Sequence, residues 1–268
     1  MDSDFHPAIA CILTGDLEGL RTLLTVSPDL AAARSTCGHP TLLQMVACEA
    51  AKLSDPVGAA AILIDAGAPM AEPLVAAASV DAREVLQLLL DRGAAIDASR
   101  WTPLEEALYW RHLELADFLV ARGAKPNSLR AVAGLGSTSE LEGFFADGEL
   151  QTQAGPIRSP FPDTVPQGRE NEPQDILNNA FVTAVNTGRR QTAALLLDRG
   201  AQLNAKPPGF HWRGTALHAA VWHGDAEMVR WLIDGGADPS IQDDLVGADA
   251  TGWATHHGHP ELLVLLQS

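Results

Sequence analysis

Apolar residues recur along this chain at helical spacing, in short blocks that end alike. Five Leu-rich runs close on Gly-Ala: Ile62–Ala68, Leu88–Ala94, Phe118–Ala124, Leu195–Ala201 and Trp231–Ala237. Twelve residues before the closing glycine stands a second turn position: Asp81 before Gly93, Arg111 before Gly123, Gly188 before Gly200, Gly224 before Gly236. Between these points the apolar positions fall as in Met228, Val229, Leu232 and Ile233, one stripe of an amphipathic helix of about three turns. Gly93, Gly123, Gly200 and Gly236 then supply the positive φ that ends such a helix.

A second short helix is predicted before each turn position. Its best example is Gly214–Gly224, and Trp101–Trp110 echoes it. Thr102 and Thr215 stand where a hydroxyl can accept a backbone N–H at the helix start. Pro103 follows Thr102 at the first helical position, where its missing donor costs nothing. The unit is helix, tight turn, helix, then a finger such as Gly236–Ile241.

Thr215-Ala-Leu-His218 with Gly235-Gly-Ala-Asp-Pro239, and Thr102-Pro-Leu104 with Gly123-Ala-Lys-Pro-Asn127, carry a resemblance. A helix pair led by Thr-Pro-Leu-His and ended by Gly-Ala-Asp-x-Asn is similar to the ankyrin repeat, whose period is about 33 residues. The chain thus resembles the bacterial, cytoplasmic type of ankyrin-repeat protein. The resemblance implies an all-α solenoid of about eight helix-turn-helix modules with β-turn fingers. One array is expected over 1–268: an N-terminal capping repeat at 1–37, repeats two to five at 38–148, repeats six and seven at 175–242, and a C-terminal capping repeat at 243–268.

Two departures stand out. The fifth module, 129–148, is degenerate, and 149–174 is a Pro-rich insertion with prolines at 156, 160, 162, 166 and 173. Such a segment is neither helix nor central strand, and is expected as a disordered finger or a long loop over the inner face. The second departure is the enlarged finger Lys206–Arg213, which carries aromatic residues.

Charge narrows the partners. Lys and Arg number 18 against 34 Asp and Glu, a formal charge of −16. Such a surface repels phosphate backbones and anionic lipid heads, so nucleic acid and membranes are not expected partners, and another protein with a basic face fits. The three cysteines, Cys11, Cys37 and Cys48, form no paired spacing for disulfides or zinc. Residues 1–5 lack the basic and apolar regions of a signal peptide, so a reduced, cytoplasmic, monomeric protein is expected.

In the family the two residues before the inter-helix turn point into the concave groove. Carried over, these positions include Tyr109 and Trp110, Trp222 and His223, and His256 and His257. The chain has only one Tyr, six Trp and nine His, so their gathering at groove positions marks partner-binding candidates, Tyr and Trp being enriched in hot spots. His211, Trp212 and Arg213 on the enlarged finger join the candidates. The alternative is that these rings are filler between neighbouring fingers.

The resemblance gives His218 a structural role, bonding Thr215 and the finger backbone. His223, His256, His257 and His259 raise a metal question. Adjacent helical side chains diverge by about 100°, and no carboxylate or thiol supports them, so no metal is expected. Gly134-Leu-Gly136 follows no strand and lacks the third glycine of a phosphate loop. No hydrolase, zinc-protease or cysteine-nucleophile motif occurs. The expectation is a non-catalytic adaptor, inhibitor or immunity-like protein without cofactor. The alternative is a small-molecule binder or atypical enzyme using His211, Arg213, His223 and His257 beneath the Pro-rich loop.

Overall fold

A computed structural model of the chain describes residues 3–36 and 40–267. Cys37 lies outside the described residues. The chain forms two compact units, 1–125 and 126–268. Among the described residues, four helix pairs make up each.

In the first unit the pairs are α1 (His6–Thr14) with α2 (Leu17–Val26), α3 (Leu42–Cys48) with α4 (Pro56–Asp65), α5 (Ala71–Ser79) with α6 (Arg83–Asp91), and α7 (Pro103–Tyr109) with α8 (Leu113–Ala121). First helices stack as α3, α5, α7, and second helices as α2, α4, α6. Fully buried alanines, among them Ala47, Ala77, Ala78 and Ala107, let the first helices approach closely. Leucines such as Leu63, Leu86, Leu89 and Leu119 fill the space between the layers, each burial contributing about 1.5–3 kcal/mol.

The two turn positions read from the sequence both take left-handed backbone. Asp81 and Arg111 sit at φ 53° and 61°, where the family of turns here otherwise uses glycine, as at Gly188 and Gly224. At the closing position Gly93, Gly123, Gly200 and Gly236 have φ between 90° and 98°. There the following alanine N–H reaches back to a leucine carbonyl one turn into the helix, as in Ala124 to Leu119 at 2.9 Å and Ala237 to Leu232 at 2.9 Å. These bonds satisfy the last orphan carbonyls. Thr102 caps α7 with a reciprocal box: its hydroxyl accepts the Glu105 N–H at 3.2 Å while the Glu105 carboxylate accepts the Thr102 N–H at 3.2 Å.

The extra residues between α3 and α4 form a 3-10 turn, Ala50–Lys52, before Asp55 caps α4 by accepting the Gly58 N–H at 2.7 Å. Successive second helices are also bridged on the outside. Arg92 meets Asp65 at 2.5 Å and Arg122 meets Asp91 at 2.5 Å. Both pairs are largely solvated, so each adds at most about 1 kcal/mol.

The second unit pairs α9 (Leu129–Leu135) with α10 (Thr138–Glu142), α11 (Pro173–Asn186) with α12 (Arg190–Asp198), α13 (Ala216–Trp222) with α14 (Ala226–Asp234), and α15 (Ala250–His256) with α16 (Leu263–Leu266). Among the described residues the helices thus form eight pairs, the number of modules the spacing predicts. A small β-hairpin, β1 (Phe145–Ala146) with β2 (Glu149–Leu150), follows the degenerate pair. Asp147 and Gly148 turn it, both at positive φ, as two-residue hairpins of this kind require.

The Pro-rich insertion is packed, not loose. Two 3-10 turns, Thr152–Ala154 and Pro162–Thr164, punctuate it, and Pro173 takes the first position of α11. Ala154 and Ile157 are buried. The Ile157 N–H donates to the Glu170 carbonyl at 2.7 Å, and Arg130 of α9 donates to the Arg158 carbonyl at 2.5 Å. Gly209 of the enlarged finger donates to the Thr164 carbonyl at 3.0 Å. A side chain at Gly209 would strike Asn179 and Ile157 at 2.8 and 3.0 Å, so this close approach demands glycine.

Candidate functional site

The candidate residues separate into two places, one in each unit. In the first, Tyr109 is buried and Trp110 is half-buried at the end of α7. Their rings pack edge to face, 5.2 Å apart, and Trp101 closes on the other side of Tyr109 at 6.0 Å. Below them lies Glu106, only 5 % exposed. One of its oxygens accepts the Trp110 indole N–H at 2.9 Å and the other accepts the Trp101 indole N–H. Two indoles therefore hold one buried carboxylate.

Tyr109 offers no surface to a partner, and Trp110 is committed at its polar edge. Replacement Glu106→Gln keeps one acceptor but turns an amide N–H toward the second indole. It is expected to cost about 1–2 kcal/mol in denaturant unfolding, with a shift in Trp emission. A change within error would mean that solvent already satisfies the indoles. The nearby Cys48 thiol is pushed up by burial and then by the charges of Glu49 and Glu106, so it is not poised as a nucleophile.

In the second unit the remaining candidates converge. Trp222 ends α13, with Trp212 of the enlarged finger 5.3 Å away and His211 at 5.6 Å, both edge to face. Trp253 of α15 lies 6.2 Å from Trp222, and His257 stands 5.9 Å from Trp222 and 5.2 Å from Trp253. His211, Trp212, Trp222, Trp253 and His257 wall a cavity of about 420 Å³, with Leu245 and Val246 at its lip. Burial pushes the His211 imidazole below its ordinary pKa. The same holds for His257, lowered by burial and then by its neighbours His256 and His259. Burial thus disfavours the charged form of both imidazoles.

Trp212 is 1 % exposed and forms the floor. It packs on Phe210 at 4.4 Å, so its area is spent inside the unit. Trp253, which the sequence reading passed over, is a wall. It lies three and four residues before His256 and His257 on one helix, the spacing that puts side chains on a shared face.

Asp243 shapes the lip. Its Oδ1 accepts the N–H groups of Leu245 and Val246, each at 2.7 Å. Its Oδ2 accepts the Ala248 N–H at 3.0 Å and the Trp253 indole N–H at 2.9 Å. Burial favours the neutral acid, but the indole and the three amides outweigh it, and the pKa falls below the ordinary aspartate value. This loop leaves Leu245 54 % and Val246 71 % exposed.

Arg213 and His223 turn elsewhere, while His256 also lines the cavity. Arg213, at φ 50°, pairs with Asp163 of the insertion at 3.1 Å, in a separate cleft beside Arg169 and Lys206. His223 stacks on Trp222 but bonds the buried Asn186 side chain of α11 at 2.9 Å. His256 is exposed, its ring 4.9 Å from that of His257. Of His211, Arg213, His223 and His257, only His211 and His257 line the cavity.

His218 locks the module. Its Nδ1 accepts the Thr215 N–H at 3.1 Å with the Thr215 hydroxyl at 2.9 Å, and its Nε2 then carries the proton donated to the Ala248 carbonyl at 3.2 Å. Thr215 thereby starts α13 as Thr102 starts α7. His259 lies 3.3 Å from the Trp222 carbonyl, as His112 lies 3.0 Å from that of Ser79. Among the described residues no three His, Cys, Asp or Glu side chains gather to hold a metal, and no helix is long and apolar enough to cross a membrane.

Comparison with known proteins gives the same repeat. Family models described as ankyrin repeats, in three copies and in many copies, match residues 32–130 and 181–233. The putative ankyrin repeat-containing protein of Treponema pallidum (strain Nichols) is 28% identical over 208 residues, covering 76% of this chain and 54% of its own length. Ankyrin repeat and KH domain-containing protein mask-1 of Caenorhabditis elegans is 23% identical over 274 residues, 92% of this chain and 10% of that one. The chain thus spans about a tenth and about half of these relatives. Ankyrin repeat and SOCS box protein 6 of Mus musculus is 34% identical over 94 residues, 35% of this chain and 22% of its own. A crystal structure of the human ASB11 ankyrin repeat domain aligns over 98% of both chains with a TM-score of 0.44 and 19% identity. Matched by ankyrin-repeat models over 32–130 and 181–233, together more than half of its length, this chain belongs to the ankyrin-repeat family.

Proposed function

We propose that the chain is a non-catalytic protein-binding module, an adaptor or inhibitor, that works in the cytoplasm as a monomer. Ankyrin repeats generally mediate protein–protein interaction, and proteins of this family are typically not enzymes. The observation that carries the reading is the tryptophan-walled cavity at the ends of α13 and α15, open beside an exposed apolar lip. Half-buried Trp222 at its centre is the residue type that dominates binding energy, with large area and little entropy to lose. The stretch that supplies its lining, residues 206–267, carries eight acids against Lys206, Arg213 and Arg230, which supports a partner with a basic face. Trp110, half-exposed in the first unit, is a second candidate contact.

Arg213 is paired with Asp163 and His223 with Asn186, and neither lines the cavity, which counts against the enzyme alternative, because acid–base partners must lie within hydrogen-bond reach. The test is affinity capture from native extract with the wild-type chain, Trp222→Leu and Trp110→Leu. A specific partner should bind Trp222→Leu at least about tenfold more weakly, as for a hot-spot residue, while circular dichroism is unchanged. Equal binding by a folded Trp222→Leu chain would remove the site.

A further inference from the structure

The cavity and the charge around it narrow the partner to one chemical class. Its walls are three indoles and the three imidazoles of His211, His256 and His257, of which burial lowers the pKa of His211 and His257. The acid closest to them, Asp243, is 3 % exposed and already accepts four hydrogen bonds, so it presents no free carboxylate. The interior is thus mainly apolar, its indole and aliphatic surface interrupted only by imidazole edges. Along the chain that builds it, acids outnumber bases. Asp225, Glu227, Asp234, Asp238, Asp244 and Asp249 are among the eight acids of 206–267, against Lys206, Arg213 and Arg230.

We propose that the cavity receives one or two bulky apolar side chains of an extended protein segment whose flanking residues are lysine or arginine. This rests on the protein-binding reading above and names the partner's chemistry. At about 420 Å³ the space lies at the lower end of ligand pockets, which run from about 300 to 1,000 Å³, and suits side chains inserted from a peptide. Leu245 and Val246 form a lip rigid enough to press on them, because both backbone N–H groups are held by Asp243. Charge removes the rival occupants. A second copy brings its own formal charge of −16, and nucleic acid and anionic lipid are repelled likewise.

The experiment uses the full chain and fluorescein-labelled synthetic octapeptides. Two central residues are Leu-Phe or Ala-Ala, and the flanks are all lysine or all glutamate. Fluorescence polarisation should rank lysine-flanked Leu-Phe at least about tenfold tighter than either lysine-flanked Ala-Ala or glutamate-flanked Leu-Phe. Salt should weaken the lysine peptides. Leu245→Ser with Val246→Ser, both exposed and safe for folding, should weaken Leu-Phe binding about tenfold and leave Ala-Ala unchanged.

Equal binding of Ala-Ala, equal binding with glutamate flanks, or indifference to the lip substitutions overturns the proposal. So does free indole competing as strongly as the peptide, which would make the cavity a small-molecule site. Concentration-dependent dimerisation abolished by the lip substitutions would make a second copy the occupant and overturn it too. A captured native partner that binds the lip variant undiminished ends this inference and leaves the protein-binding reading intact. The expected peptide ranking without any native partner ends that reading and upholds the cavity's chemistry.

Discussion

Trp212→Ala should destabilise the chain by about 3–5 kcal/mol, the range for removing a fully buried aromatic residue from a core that cannot collapse. The indole is 1 % exposed, packed on Phe210 at 4.4 Å and crossed by Trp222 at 5.3 Å. Its neighbours are fixed from both sides. Phe210 follows Gly209, which is pressed against Asn179 and Ile157, and Trp222 is stacked on His223. A cavity opened here has nothing free to fill it. Denaturant unfolding followed by far-ultraviolet dichroism measures the loss. A value under about 1 kcal/mol would show that the finger is dispensable and the floor ornamental.

The second large effect is at Asp243. Asparagine there retains an oxygen for the amides of Leu245 and Val246. Its amino group, however, faces the Ala248 N–H and the Trp253 indole N–H, donor against donor. Asp243→Asn should cost about 2–3 kcal/mol, the range for hydrogen bonds to a charged group. The sign of the pH dependence follows from the lowered pKa. A carboxyl depressed by folding contributes stability that is present above the unfolded value of about 3.9 and lost as pH falls through the folded value. Wild type and Asp243→Asn should therefore differ fully at pH 6 and converge in acid below pH of about 4. A gap that stays constant down through that window would mean the carboxylate's charge is not what holds the loop.

The fold was legible because ankyrin helices announce themselves locally. Caps at Thr102 and Thr215, turns at Gly188 and Gly224, and closing glycines at Gly93 and Gly236 are short-range devices, and each residue type has one steric reason to be there. Asp147-Gly148 was equally legible as a hairpin turn, but strands of two residues carry no periodicity to prompt the reading. The gathering of Trp222, His257 and His211 followed from register, since equivalent positions of neighbouring modules stand side by side. Exposure did not. Tyr109 and Trp212 are buried by rings that close on them only in three dimensions: Trp101 and Trp110 around the one, Phe210 and Trp222 around the other. Trp253 was missed because it sits one helical turn before the pair-position marked by the family, and Asp243 because its four acceptor contacts close only in three dimensions.

Linear arrays of repeats ordinarily touch only their nearest neighbours, so their stability sums term by term and an end can fray alone. The insertion after the hairpin breaks that locality in the second unit. It is tied to α9 through Arg130, and to the finger before α13 through Thr164, Phe161 and Asp163. A crosspiece spanning three modules makes their melting a joint event, and lends the tryptophan end of the unit the cooperativity of a globular core.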